Sequence, residues 1–489
     1  MSVVGWATTK DPMLGAEACS SKRTGEPRAA IVASMEMIVK KVGYKPFFRV
    51  GYSAAGHLAC RPQTELEGAL FQTRARKDTP MKLKRAVKSV PGLTLLLALL
   101  ACFSLSSWAK AAVQDDDSGQ SQDSRVYVLT NQAPVNTVAV LHRAADGTLT
   151  RLQEVLTGGS GSGPGPRPPQ FPPGPGPDPL NSADAITLTE DGRFLLAANP
   201  RSNDLSVLAV TQEGLQLVDK ASTQGIFPVS VATRHGLVYV VNQGQSPTNS
   251  VLGEASITGF FLSHDGKLSA IPGSTRTIGS PGAAPGKVAI TPDGDLLIVA
   301  ETIANFIDVF HLQDDGRTGA LSRFPSNNRT PLAIAFTHHR IMAITEGDMQ
   351  SAQTGTPGGS STSTYRITDD DTLEPISKAV PNFQTSNCWI RFTPDGRFAY
   401  TGNTGSGSVS SYSVSPAGEL TLLAAVAADT GGFASVPIDL DISRDGKFLY
   451  VIASFIGTVE GYRIEKDGAL THVSDVSGFP ISMQGIVAR

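Results

Sequence analysis

From about residue 125 onward, apolar residues come in short runs, and the runs follow one fixed order. Seven segments rich in Val, Ile, Leu, Phe and Tyr mark the rhythm: RVYVLTN (125–131), RFLLAAN (193–199), GLVYVVN (236–242), DLLIVAE (295–301), RIMAITE (340–346), RFAYTGN (397–403) and KFLYVIA (447–453). Each is followed by an alternating segment, such as DLSVLAVT or FIDVFHL, in which side chains take opposite faces with period two. A polar turn containing glycine, such as ADGTL, HDGKL or KDGAL, then leads into a weaker fourth segment. Period-two runs bounded by Asp-Gly turns predict antiparallel hairpins.

A further strand precedes each Asp-Gly turn, but only six times: DAITLT, PVSVAT, GKVAIT, PLAIAFT, CWIRFT and PIDLDIS. The first repeat lacks it, and the last residues of the chain, MQGIVAR (483–489), have its pattern. Seven four-stranded units with the C-terminus completing the first predict an all-β, seven-bladed β-propeller over 112–489, a ring that leaves few open sheet edges. The extra length in the repeats falls in a Pro/Gly-rich insert at 157–182 and in segments around 244–254 and 350–361. All three join elements on one face of the ring, called the top here. The insert has no Lys-Ser/Thr after its glycines, so it reads as a linker and not a phosphate loop.

Charge changes the picture at the front of the chain. Residues 1–112 hold 17 Lys and Arg against 7 Asp and Glu, leaving 24 against 37 for the rest. An acidic body argues against nucleic acid as a partner. The basic front has a local cause at 81–111, where Lys82, Lys84, Arg85 and Lys88 precede an apolar run and Ala109-Lys110-Ala111 follows it. That layout predicts a signal peptide and a periplasmic or secreted protein, because the run is too short for a comfortable membrane span. Lipidation at Cys102 is the other reading of the same stretch, although Leu100 is bulky for that motif. Residues 1–80 have no sustained period and are expected to be a spurious or disordered extension, with translation beginning at Met81. Only Cys388 lies beyond the predicted cleavage point, so no internal disulfide is expected. The body is expected to be a monomer that does not span a membrane.

The repeats resemble the seven-bladed lactonase family, which includes 6-phosphogluconolactonase-type and carboxymuconate-cyclising propellers. The resemblance rests on the turns at Pro292-Asp293-Gly294 and Pro394-Asp395-Gly396 and on the strand-ending Asn131, Asn199, Asn242 and Asn403. It implies a propeller fold and lactone chemistry. In the family's catalytic neighbourhood a His precedes the turn proline by five residues. Lys287 stands there in this chain, Gly286 stands where an Arg would be, and Glu301 is one place off the family's Glu.

Parity along the inner strands predicts what lines the central channel. Small residues dominate: Thr187, Val231, Ala289 and Ala335 in the middle layer, Thr189, Thr233 and Thr291 below. Charge gathers on one side, with Arg391 and Asp441 at one level and Lys287, Trp389 and Asp439 above. Glu301 and Glu346 replace Asn at the upper ends of two second strands. Arg391 with Asp441 can be a plain ion pair between blades, and Trp389 either packs or stacks on a planar ligand. Cys388 falls in the buried register. His338-His339 lacks further ligands, so no metal is expected, nor any cofactor.

Two functions fit. In the first, the top of the channel binds a small carbohydrate or organic-acid ligand, or a protein partner, through Trp389, Arg391, Asp439 and Asp441. In the second, a lactonase-type enzyme uses Lys287 as electrophile or base and Glu301 or Glu346 as general acid/base.

Overall fold

The computed structural model describes residues 124–489 apart from 167–173, 246–252, 280–281, 338–339 and 349–358. The expected signal peptide and the 1–80 extension lie outside the described residues, as does His338-His339.

The described chain forms seven antiparallel sheets around a channel, plus a two-residue ladder between Gly165–Pro166 and Pro175–Gly176. Blades two to seven begin at the channel with Ile186–Leu188, Pro228–Arg234, Pro285–Ile290, Pro331–Phe336, Asn387–Phe392 and Pro437–Ile442. Blade one draws its inner strand, Ile486–Ala488, from the far end of the chain, and this pairs antiparallel with Arg125–Leu129 in the register Val126–Ala488 and Val128–Ile486. The predicted closure is therefore the observed one. Ile486 and Met483 are fully buried, so the last strand also contributes to the core. Among the described residues the only helical turns are the 3-10 segments Gly432–Ala434 and Ser454–Ile456, and no helix is long and apolar enough to cross a membrane.

The strand repeats create equivalent columns of side chains, and one column laces neighbouring blades together. Tyr239, Tyr400 and Tyr450, each on a second strand, donate their hydroxyls to the carbonyl oxygens of Gly316, Gly468 and Gly147 in the outer turn of the next blade, at 2.7, 3.0 and 2.9 Å. The last of these crosses the closure, from blade seven to blade one. Gly147 must be glycine: its φ is 91°, and a Cβ there would collide with the Phe448 ring. In blade three the fourth strand is split into Leu268–Ala270 and Arg276–Thr277, both paired with Ser256–Leu262. Pro272 has no N–H to give a ladder and Gly273 sits at φ 76°, which explains the interruption.

The Asp-Gly sequences are turns, as their composition predicts. In four blades a Thr or Ser hydroxyl donates to the Asp two positions on: Thr189 to Asp191, Thr291 to Asp293, Thr393 to Asp395 and Ser443 to Asp445, at 2.5–2.7 Å. These turns form the lower rim of the channel.

Candidate binding site in the central channel

The inner strands are short and rich in small residues, so the ring does not close on its axis. They leave a cavity of about 500 Å³ whose wall includes Thr187, Val231, Ala289, Ala335, Arg391 and Asp441, the predicted middle layer. Thr189, Thr233, Arg444 and Arg489 surround its lower mouth. Arg489 is held there by donation of its guanidinium to Gly192 O at 2.8 Å.

The upper end is filled. The end of the Pro/Gly-rich insert and the two residues after it, 178–184, cross it as a plug. Leu180, Ser182 and Ala183 are at most 1% exposed. Gln484, from the C-terminal segment, pins the plug: its side chain accepts from Leu180 N at 3.0 Å and donates to Asp178 Oδ1 at 2.8 Å and Ser182 O at 2.9 Å. Gln243 donates to Leu180 O, and Ala183 N to Gly286 O. By composition the insert is a linker. Its last residues nevertheless carry enough apolar surface and backbone pairing to pack.

The plug changes the meaning of several candidate residues. Trp389 does lie in the channel-facing register, but its indole N–H donates to Ser182 O at 3.2 Å and the side chain is completely buried. It is packed under the plug and does not face the cavity. Asp439 sits at a register irregularity between Pro437 and Leu440, with φ 64°, and is also buried. Burial, with Asp441 nearby and Arg391 opposing, raises its carboxyl to about 6.

Glu301 and Glu346 are not brought to the cavity at all. Glu346 does the job that Asn does in other blades, and Glu301 binds within its own blade. Asn199 donates to Ser206 Oγ at 2.7 Å and accepts from Thr157 of the preceding blade, tying third strand to neighbouring loop. Glu346 likewise accepts from Ser361 and Ser363 of its own blade and from Ser326 Oγ and Asn328 N of the loop before it. Glu301 accepts from Arg323, which also holds Asp308 at 2.7 Å. Their expected place beside Lys287 is corrected: neither lines the cavity, and each carboxylate is held by polar groups of its own blade or of the loop before it.

Lys287, Arg391 and Asp441 do meet, at the roof of the cavity, and a residue outside the predicted set joins them. Asp184 makes ion pairs with both the Lys287 ammonium and the Arg391 guanidinium. Arg391 Nε is 2.9 Å from Asp441 Oδ1, while Asp441 Oδ2 accepts from Ala488 N at 2.8 Å. The Asp441 carboxylate thus links blades six, seven and one. Burial, then Arg391, push the Lys287 ammonium well below its ordinary value, with Asp439 and Asp441 acting the other way. The Asp184 carboxylate in contact with it is a further opposing charge. One signal could have found Asp184. Its column in the other blades reads Pro228, Gly286, Leu332, Cys388 and Ile438, so it is the only acid at an otherwise apolar or small position. Cys388, in that column, is buried, and burial raises its thiol to about 12, so it is a core residue.

No curated protein matches the chain. Solved structures share the fold. A 6-phosphogluconolactonase candidate from Bacteroides uniformis ATCC 8492 is 18% identical, with 75% of this chain and 100% of that one covered at a TM-score of 0.55. The Pseudomonas aeruginosa periplasmic gluconolactonase PpgL is 15% identical over 75% and 99%, at 0.54. A functionally unknown protein from Desulfotomaculum acetoxidans is 13% identical over 75% and 99%, at 0.53. The sequence profile described as "Lactonase, 7-bladed beta-propeller" matches residues 120–252 and 357–483, together more than half of the chain. With seven blades, C-terminal closure and that match in agreement, the chain belongs to the seven-bladed lactonase propeller family.

Proposed function

We propose that this protein is an exported propeller that binds a small polyhydroxylated ligand, a sugar lactone or related organic acid, in its central channel from the lower face. The observation that carries this reading is the blind cavity of about 500 Å³, plugged above and ending in the Lys287, Asp184, Arg391 and Asp441 cluster. A concave site of this size with a few convergent polar groups and small walls suits a small molecule. Donors and acceptors alternate at its roof, which suits hydroxyl groups that both give and accept hydrogen bonds. The fold shared with PpgL, a periplasmic gluconolactonase, supports the lactone class.

The test is a panel of sugar lactones, their open-chain acids and the parent sugars, followed by both thermal shift and release of acid. Stabilisation by members of the panel, weakened in Arg391→Ala, is expected. A panel with no effect on melting would remove the reading. Export is tested apart from this, by N-terminal sequencing of secreted or periplasmic protein, with a start near Ala112 expected.

A further inference from the structure

We propose that Lys287 is a Schiff-base-forming lysine, and that the channel accepts a small hydroxylated aldehyde or ketone which it holds as an iminium. This rests on the cavity being the ligand site.

The geometry has three parts. The Lys287 side chain belongs to the cavity wall yet is only 4% exposed, so an incoming carbonyl compound meets it away from bulk water. Its neighbours Ala289, Ala335 and Val231 and, one blade further round the ring, Thr187 are small, and they leave space below the roof. A carboxylate, Asp184, touches its ammonium, and a second cation, Arg391, shares that carboxylate. A lysine that is desolvated and set beside another cation is the arrangement that makes an amine nucleophilic near neutral pH. The direction of the Lys287 shift, set first by burial and then by Arg391, agrees. Asp439 and Asp441 face the same group and limit that shift, and Asp439 has one buried oxygen with no protein donor.

The step balances with groups on the wall. Asp184 accepts one ammonium proton. The freed nitrogen lone pair attacks the carbonyl carbon, the C=O π pair moves to oxygen, and a second proton passes from nitrogen to that oxygen. Asp184 returns its proton as the hydroxyl departs as water, and the nitrogen lone pair closes the C=N bond. Lysine ammonium and carbonyl give iminium and water, with no oxidant or reductant needed.

The experiment incubates the full chain with glyceraldehyde or dihydroxyacetone and borohydride, then maps the labelled lysines by peptide mass. Reduction of the iminium leaves the lysine heavier by the probe less one oxygen. Lys287 is expected to label at least about tenfold faster than the exposed Lys220, Lys267 and Lys447, because the cavity holds the carbonyl compound against its amine and burial favours the neutral form of that amine. Lys287→Met and Lys287→Arg are expected to lose that label alone. Labelling of Lys287 no faster than of the exposed lysines overturns the proposal, and this is read on the unaltered protein whether or not the variants fold. The lactone panel is read separately. Labelling at Lys287 without lactone binding would remove only the lactone reading, and lactone binding without labelling would remove only this one.

Discussion

The two ends of the channel are built from the same strands but treat acids in opposite ways. At the lower rim, Asp191 sits in a turn where partial burial is outweighed by hydrogen bonds from Arg193 N and Thr189, and its carboxyl falls to about 2. Asp293, Asp395 and Asp445 in the equivalent turns are lowered too, with hydrogen bonds likewise outweighing burial. At the upper end, burial comes without enough donors. Asp178 in the plug and Asp439 behind it rise to about 6, and Glu301, beside Asp308, to about 7. The difference teaches that the lower rim is a set of self-sufficient turns open to water, whereas the upper end is a packed core made by a plug.

The largest test of that contrast is removal of residues 483–489. It takes away the inner strand of blade one and Gln484, which pins the plug. Loss of buried Met483 and Ile486 alone costs about 2–5 kcal/mol each. The expected outcome is a protein that does not unfold in a single cooperative transition. A truncated chain that melts like the full one would mean that the ring does not depend on its closure.

Next in size is Trp389→Ala. If Trp389 is a core residue under the plug, the change costs about 3–5 kcal/mol in denaturant unfolding while ligand affinity of the folded protein stays unchanged. Loss of affinity with little loss of stability would return Trp389 to the binding site.

Asp441→Ala should cost less, roughly 2 kcal/mol. Breaking a buried ion pair costs about 3–5 kcal/mol, but both partners here are 18% exposed toward the cavity. Ligand binding should weaken together with stability, because this carboxylate lies on the cavity wall.

The smallest effect is the pH dependence. Acids raised in the folded state stabilise it fully below their unfolded values, near 4, and that contribution is lost as pH rises through 6 to 7. Acids lowered in the folded state act oppositely: their contribution is present above about 3.8 and is lost as pH falls through about 2. Melting temperature should therefore decline gently from pH 5 to pH 7, the window in which these acids titrate. Glu301→Gln should flatten the decline by an amount on the order of 1–2 kcal/mol. An unchanged slope in that variant would show that Glu301 is ionised in the folded protein.

Much of this was written in the order of residues. Period-two runs with Asp-Gly turns are a local signal, and seven copies with one missing inner strand leave a ring closed by 483–489 as the consistent arrangement. Parity alone placed Lys287, Arg391 and Asp441 toward the channel, because side-chain alternation holds wherever pairing is regular. The limits of the sequence were equally physical. The plug comes from a proline- and glycine-rich insert whose composition describes its flexibility as a free segment and says nothing of the surface it will meet. Asp184 turns to the roof through a left-handed backbone, φ 57°, at a place where alternation predicts the core. Asp439 turns at a register irregularity in the same way. Glu301 and Glu346 took their roles from the hydroxyls, amides and guanidinium that neighbouring segments brought to them. Strand identity and facing are set by neighbours in sequence. Which end of the channel is open, and which charges meet there, depends on contacts between segments far apart in sequence, such as Gln484 with Ser182, 302 residues away, and only the folded ring decides them.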